Sequence, residues 1–416
     1  MVLFILLQPA FAAGGGGGDD GSTINLLVGL ILVAFAYLSA HFVVDRLQKK
    51  YLFVSGFEYI GLGIALSFMN IFKDSEEQFK PAVAFAIGWV GILYGLNGEI
   101  RKTINREGYE IRLAISEVLI VGLGIGAIAT GFFQIVLDAD PKESLQCGAM
   151  MGCAAAASSR SAVDIISARY QSVRSMLLPT LKNAAQLSNI LAIISFGILV
   201  CFYHEGSGSP STLAWVTLFI GFLMGGAFAA FLASESTENN RFLALTGIIC
   251  FAAGAAFYLQ LSVLAVTLFL GMVLANTRHG KGVEATLAGA QKPAILILML
   301  FAGVLLKPVT LVYGVALCAI FFFFRILLKA VGGWIAFKGT SVRGDIFRGH
   351  LAQGEVALAI AISFRLLYDG GQIYDLAYMA VIVSVAISEL IGPRFLRGLL
   401  VDAGEIQQDI PLSREA

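Results

Sequence analysis

Charge is scarce in this chain. Only 13% of its 416 residues are Asp, Glu, Lys or Arg, and the two signs cancel at 28 each. No basic surplus exists to hold nucleic acid, and charge can matter only through its placement. Cysteine is sparser still. Cys147, Cys153, Cys201, Cys250 and Cys318 stand singly inside apolar stretches without CxxC spacing, which argues against a redox pair and for small core residues. The four histidines, His41, His204, His279 and His350, sit at the ends of apolar stretches without ligand-like spacing, so no metal site is visible. No nucleophile with its base and no phosphate-binding glycine loop can be found, and Gly14 to Gly18 precede no strand. An enzyme is therefore the least supported class, and no cofactor is implied.

What the chain has is grease. With 58% apolar residues it is too hydrophobic for one soluble core and reads as a polytopic membrane protein in contact with lipid. Backbone polar groups cannot stay unpaired in hydrocarbon, and long strands of alternating polarity are lacking, so the spans must be helices. The fold class is all-α. Thirteen helical candidates follow one another at 24–45, 52–72, 80–98, 111–134, 143–168, 176–203, 212–234, 242–258, 261–277, 290–306, 308–338, 344–369 and 374–400. Ahead of them, residues 1–23 form a leader: an apolar start, an Ala10-Phe11-Ala12 pattern similar to a signal cleavage site, then Gly14 to Gly18. Residues 407–416 make a short tail.

Loop charge sets the orientation. Connections from odd to even spans, counted with the adjoining span ends and the C-terminal end of the chain, carry twenty Lys and Arg, whereas the opposite connections, counted the same way, carry only Lys73, Lys80, Lys142 and Lys307. Basic residues are retained on the cytoplasmic side, so the N-terminus is expected outside and the C-terminus inside a plasma membrane of bacterial type. Thirteen spans also suit two six-helix units of opposite topology plus one joining helix, the inverted-repeat plan of secondary transporters.

Several segments, taken in order, carry a resemblance: Gly56 to Gly63 (GFEYIGLG), Gly91 to Glu99 (GILYGLNGE), Leu268 to Asn276 (LFLGMVLAN), Gly354 to Leu358 (GEVAL) and Ser388 to Arg394 (SELIGPR). Across residues 24–406 the chain resembles the monovalent cation:proton antiporter superfamily, the sodium/hydrogen exchanger-like membrane domain. The resemblance implies crossed, discontinuous helices in the fifth and twelfth spans and a carboxylate in the sixth that alternately holds a cation and a proton. It also implies a homodimer, with spans 1–3 and 8–10 as a dimer-forming panel and spans 4–6 and 11–13 as a moving core. Membrane lipid is the other expected partner; an accessory subunit is left open.

A broken helix frees carbonyls and amides to face an ion at mid-membrane, and small residues permit the approach. Cys153 to Ser161 (CAAAASSRS) and Gly349 to Gly354 (GHLAQG) have that character, although Ala154 to Ala157 alone would equally suit close helix packing. The expected pathway takes in Ser158, Ser159, Arg160, Asp164, Ser188, Asn189, Arg325, Lys329, Glu355 and Glu58. The family's acidic pair falls on Ser188 and Asn189, neither of which titrates near neutrality. Asp164 is then the nearest proton carrier, four residues after Arg160 and able either to gate with it or to neutralise it permanently. Arg325 and Lys329 lie at i and i+4; Arg325 is favoured as the inward charge on depth, while Lys329 has the option of snorkelling to the interface. Glu355 either neutralises a base, carries the proton or caps a helix, and Glu58 is a candidate for the pathway. Glu117, Arg365 and Glu389 are expected at interfaces.

Three functional readings follow: a Na+ or K+/proton antiporter with an atypical site, a non-transporting or partner-dependent subunit with the same fold, and a carrier of anions or anionic solutes built on Arg160 and Arg325.

Overall fold

The structure is a computed structural model that describes residues 56–67, 76–99, 106–170, 177–204, 208–234, 238–307, 309–339, 344–368 and 371–406. The leader, the first expected span at 24–45 and the tail lie outside the described residues. Everything regular is helical: α1 (Phe57–Ser67), α2 (Glu76–Leu96), α3 (Gly108–Ser116), α4 (Leu123–Val136), α5 (Pro141–Ala156), α6 (Arg160–Arg169), α7 (Leu177–Phe202), α8 (Pro210–Ser234), α9 (Glu238–Tyr258), α10 (Val263–Ala275), α11 (Gly280–Val304), α12 (Leu311–Phe337), α13 (Gly354–Leu367) and α14 (Gly371–Asp402). Among the described residues, seven helical segments are long and apolar enough to cross a membrane.

The outer surface is apolar. Trp215, Phe219, Leu243, Leu311, Phe323 and Trp334 all point outward, as they must where the solvent is lipid and burial of grease no longer drives assembly. Helices instead associate through small residues that bring backbones close. The clearest case joins α2 to α10, where a Cβ added to Gly95 would stand 2.8 Å from the Cα of Gly271. Two of the family-like segments, GILYGLNGE and LFLGMVLAN, therefore face each other.

Packing falls into two sets. In one, α2 lies on α9, α10 and α11, and α1 lies on α11. In the other, α4 and α5 pack together, α12 and α13 pack on α14, and α5 also touches α7, α13 and α14. α7 contacts both sets.

Three irregularities interrupt the second set. The span from Gly108 to Val136 passes through a π-helical turn, Glu117–Gly122, the kind of local widening that recurs at functional sites. The fifth expected span stops at Ala156, runs extended through Ala157, Ser158 and Ser159, and resumes as α6. The twelfth enters as a 3-10 turn, Ile346–His350, loses regular structure over 351–353, and becomes helical again at Gly354. The breaks expected at CAAAASSRS and GHLAQG are thus where the backbone departs from the helix.

Candidate functional site at the crossing of two broken helices

The two breaks touch. The Ser159 amide donates to the Ala352 carbonyl at 2.8 Å, and Gly354 takes φ +73° beside it, where an added Cβ would lie 2.9 Å from the Ser159 Cα. Only glycine satisfies both the left-handed backbone and the space. Helix α6 is started by Ser159, whose hydroxyl accepts from the Ala162 amide.

Each interrupted helix leaves carbonyls without intrahelical partners, and buried side chains answer them. Arg325 donates through Nε to Ala155 at 3.1 Å and through Nη2 to Ala157 at 3.1 Å, both on the first break. Its Nη1 donates to the Leu351 carbonyl on the second. One planar guanidinium with five donors in a fixed fork thereby rivets the two breaks together. Gln353 donates to the Ala154 carbonyl and accepts from the Ser384 hydroxyl. Asn189 closes the arrangement from α7: its Oδ1 accepts from the Ser158 amide at 2.9 Å and its Nδ2 donates to the Ser158 carbonyl at 2.8 Å. It behaves as a borrowed peptide group across the gap.

Beside this scaffold lies an ionic cluster. Glu117, at the start of the π-helical turn, accepts at Oε1 from Lys329 Nζ at 2.9 Å, and the same oxygen lies 2.9 Å from His350 Nδ1. Lys329 also donates to the Ser158 hydroxyl at 2.6 Å, and that hydroxyl stands 3.3 Å from Glu117 Oε2. Exposure of Glu117, Lys329 and His350 is 2% or less, so their electrostatics are barely screened.

Two further carboxylates flank Gly354. Glu355, in the first turn of α13, accepts from the Tyr94 hydroxyl of α2 at 2.7 Å. Glu389 of α14 is 1% exposed, and neither of its oxygens makes a hydrogen bond, though Ser159, the Gly354 amide, Glu355 and Arg325 all face it. Around the crossing there are three buried carboxylates, Glu117, Glu355 and Glu389, against two permanent bases, Arg325 and Lys329.

Of the residues expected from sequence, Ser158, Ser159, Asn189, Arg325, Lys329 and Glu355 converge here. Lys329 does not snorkel: it is as buried as Arg325 and holds the ion pair, while Arg325 is spent on main-chain carbonyls. Ser188 is buried but bonds back to Ala185 of its own helix. Arg160 reaches Asn97, which it shares with Gln186. Asp164 does lie near Arg160, at 3.7 Å, yet its side chain is 46% exposed and bonds Lys182 at 2.6 Å. It is a surface ion-pair member, removed from the dry cluster. Glu58 caps the start of α1 by accepting from the Gly56 amide.

Glu117 and Glu389 lie beside the crossing, away from the interfacial placement expected of them. Both are buried within the protein; Arg365, also buried, stands in the last turn of α13 and meets Asp375 near the start of α14 at 3.1 Å. Glu117, Glu389, Tyr94, Gln353 and His350 are the site residues that sequence reasoning left aside. For the two acids a signal was present: a carboxylate inside an apolar stretch seldom persists without an interior partner.

Neither a protein-family model nor a curated protein matches the chain, but solved structures do. A structure of the sodium proton antiporter MjNhaP1 from Methanocaldococcus jannaschii at pH 8 superposes with a TM-score of 0.64 at 16% identity, covering 90% of this chain and 99% of that one. An electron-microscopy structure of MjNhaP1 gives 0.59, again at 16% identity, covering 92% and 100%. At that identity the likeness is one of fold alone.

Proposed function

We propose that this integral, multi-pass membrane protein is a secondary antiporter exchanging a monovalent cation, Na+ or K+, for protons at the helix crossing. The observation that carries the reading is the surplus of buried acid. Lys329 is neutralised by Glu117 and Arg325 is engaged by three carbonyls, so neither base is left facing a cavity that an anion would seek. Glu355 is held by a neutral phenol, with Glu389 close by. A buried cluster with one more carboxylate than fully buried base, the partly exposed Arg160 being paired outside it with Asp164, accommodates a single added positive charge, a proton or a metal ion, and the competition between them is what exchange requires.

The place of Glu355 supports the same reading. Its partner Tyr94 belongs to the set of helices expected as the panel, and Glu355 to the set expected as the moving core. A rigid-body shift of one against the other would part them and open the carboxylate to one side at a time. Homodimerisation through the panel and a cytoplasmic C-terminus complete the proposal, on the strength of the resemblance and the loop charges.

Purified protein in vesicles containing a pH reporter tests it. An inward Na+ or K+ gradient is expected to drive proton efflux, and Glu355→Gln to slow that exchange by roughly tenfold or more, as expected for loss of a residue that bears the exchanged charge. Chloride- or solute-driven flux would replace the proposal with an anion carrier, and a folded protein inert under every gradient would replace it with a non-transporting subunit.

A further inference from the structure

His350 ends the 3-10 turn that leads into the second break, and both of its ring nitrogens lie on acceptors. Nδ1 is 2.9 Å from Glu117 Oε1, and Nε2 is 3.0 Å from the Leu181 carbonyl of α7. A neutral imidazole has one N–H and can serve only one of them. Two arrangements satisfy both contacts. Either the ring is an imidazolium beside an ionised Glu117, or Glu117 is protonated and donates to Nδ1 while Nε2–H donates to Leu181. Both contain one proton more than an ionised carboxylate with a neutral ring.

We propose that the Glu117–His350 pair is the seat of the exchangeable proton, distinct from the carboxylate that meets the cation. The inference rests on the antiport reading and gives its proton a place. Lys329 Nζ stands on the same Glu117 oxygen, so the pair holds its proton against a neighbouring positive charge. From α12, Arg325 also acts on Glu117. α7 presents the Leu181 carbonyl, the first break presents the Ser158 hydroxyl, and α14 presents Glu389 to Arg325 and Asp402 to Arg348.

When the proton leaves to water, the ring keeps a single N–H, and either Glu117 or Leu181 loses its hydrogen bond to the ring. The lost bond lies between the second break and either the π-helical turn or α7, so loading is mechanically linked to the crossing. The Ser158 hydroxyl joins the pair to the first break. Coupling follows from charge: a cation arriving at Glu355 adds to the same poorly screened set of ionic groups and favours release of the proton.

The test uses the full-length protein with His41→Gln, His204→Gln and His279→Gln, which leaves His350 as the sole histidine for nitrogen-15 NMR in lipid. The ring is expected to show two N–H groups, or one N–H with a short hydrogen bond from a protonated carboxyl at Nδ1, and to lose one proton as pH rises. Saturating Na+ or K+ is expected to move that transition to lower pH by about half a unit or more, the like-charge coupling read directly. A ring that carries one N–H and meets an ionised carboxylate at every pH between about 5 and 9, or a transition that ignores both cations, overturns the proposal. These readings are taken without a gradient, so they decide the proton site separately from wild-type vesicles, whose failure to exchange would defeat the antiport reading itself. His350→Gln supplies the second arm: flux at least about tenfold slower, with an unchanged size-exclusion profile. Wild-type flux and pH profile in that variant would also overturn the proposal.

Discussion

Replacing Lys329 with Met removes the full-time cation from Glu117 while keeping a side chain of similar length. Taking one partner from a buried ion pair costs about 3–5 kcal/mol, because the other charge is left without compensation in a medium that solvates it poorly. Here the cost belongs at the lower end, about 3 kcal/mol, since His350 remains on the same oxygen. That corresponds to a loss of roughly a hundredfold in the folded-to-unfolded ratio. In detergent the loss is read as a shortened half-life of the monodisperse protein on heating, because large membrane proteins seldom unfold reversibly. The decisive arm is the double variant Lys329→Met with Glu117→Gln. With no charge stranded, it should recover about 2 kcal/mol of the loss, since the penalty in the single variant is mostly that of the orphaned carboxylate. A single variant indistinguishable from wild type, or a double variant no better than the single one, would refute the claim that Glu117 and Lys329 are a coupled buried pair.

Two other substitutions probe the crossing and its surroundings. Gly354→Ala forces a Cβ onto the Ser159 backbone at a left-handed position, where a non-glycine residue costs on the order of 1–2 kcal/mol before any clash is counted; transport in vesicles should be abolished, and wild-type rates would show that the breaks do not need this contact. Asp164→Asn loses surface ion pairs to Lys182 and Arg160 worth about 1 kcal/mol or less. It should leave proton-coupled flux within about twofold of wild type, and a large loss would return Asp164 to the transport site.

The helical, membrane-spanning character of the chain and the positions of both breaks were legible because they depend on local properties: long apolar runs, and short polar or small residues where a helix must stop. The contacts between family-like segments, such as Gly95 with Gly271, were legible in kind, since small residues in a span mark close approach. The ionic cluster was not. Spacing along a helix finds pairs at i and i+4, and it found Arg160 with Asp164, which do meet but on a half-exposed face. Glu117 and Lys329 are 212 positions apart, and His350 joins them through a turn whose direction no local pattern fixes. Depth along α12 likewise gave no ground for separating Arg325 from Lys329, because both are buried and differ in what they face: main chain for one, a carboxylate for the other.

The same geometry explains why α7 need not carry an acid. Asn189 must donate to one atom of Ser158 and accept from another, and a carboxylate can do only the second when ionised. An acid at this position would turn the Ser158 carbonyl from a satisfied group into one facing negative charge. Glu355 instead sits in the first turn of α13, where unpaired amides and the helix dipole favour negative charge, and where a neutral hydroxyl holds it without consuming its charge. Asn189 on α7 thus serves as a clamp on the broken backbone, and under the proposed exchange the titrating work would fall to acids placed at the break and at the π-helical turn.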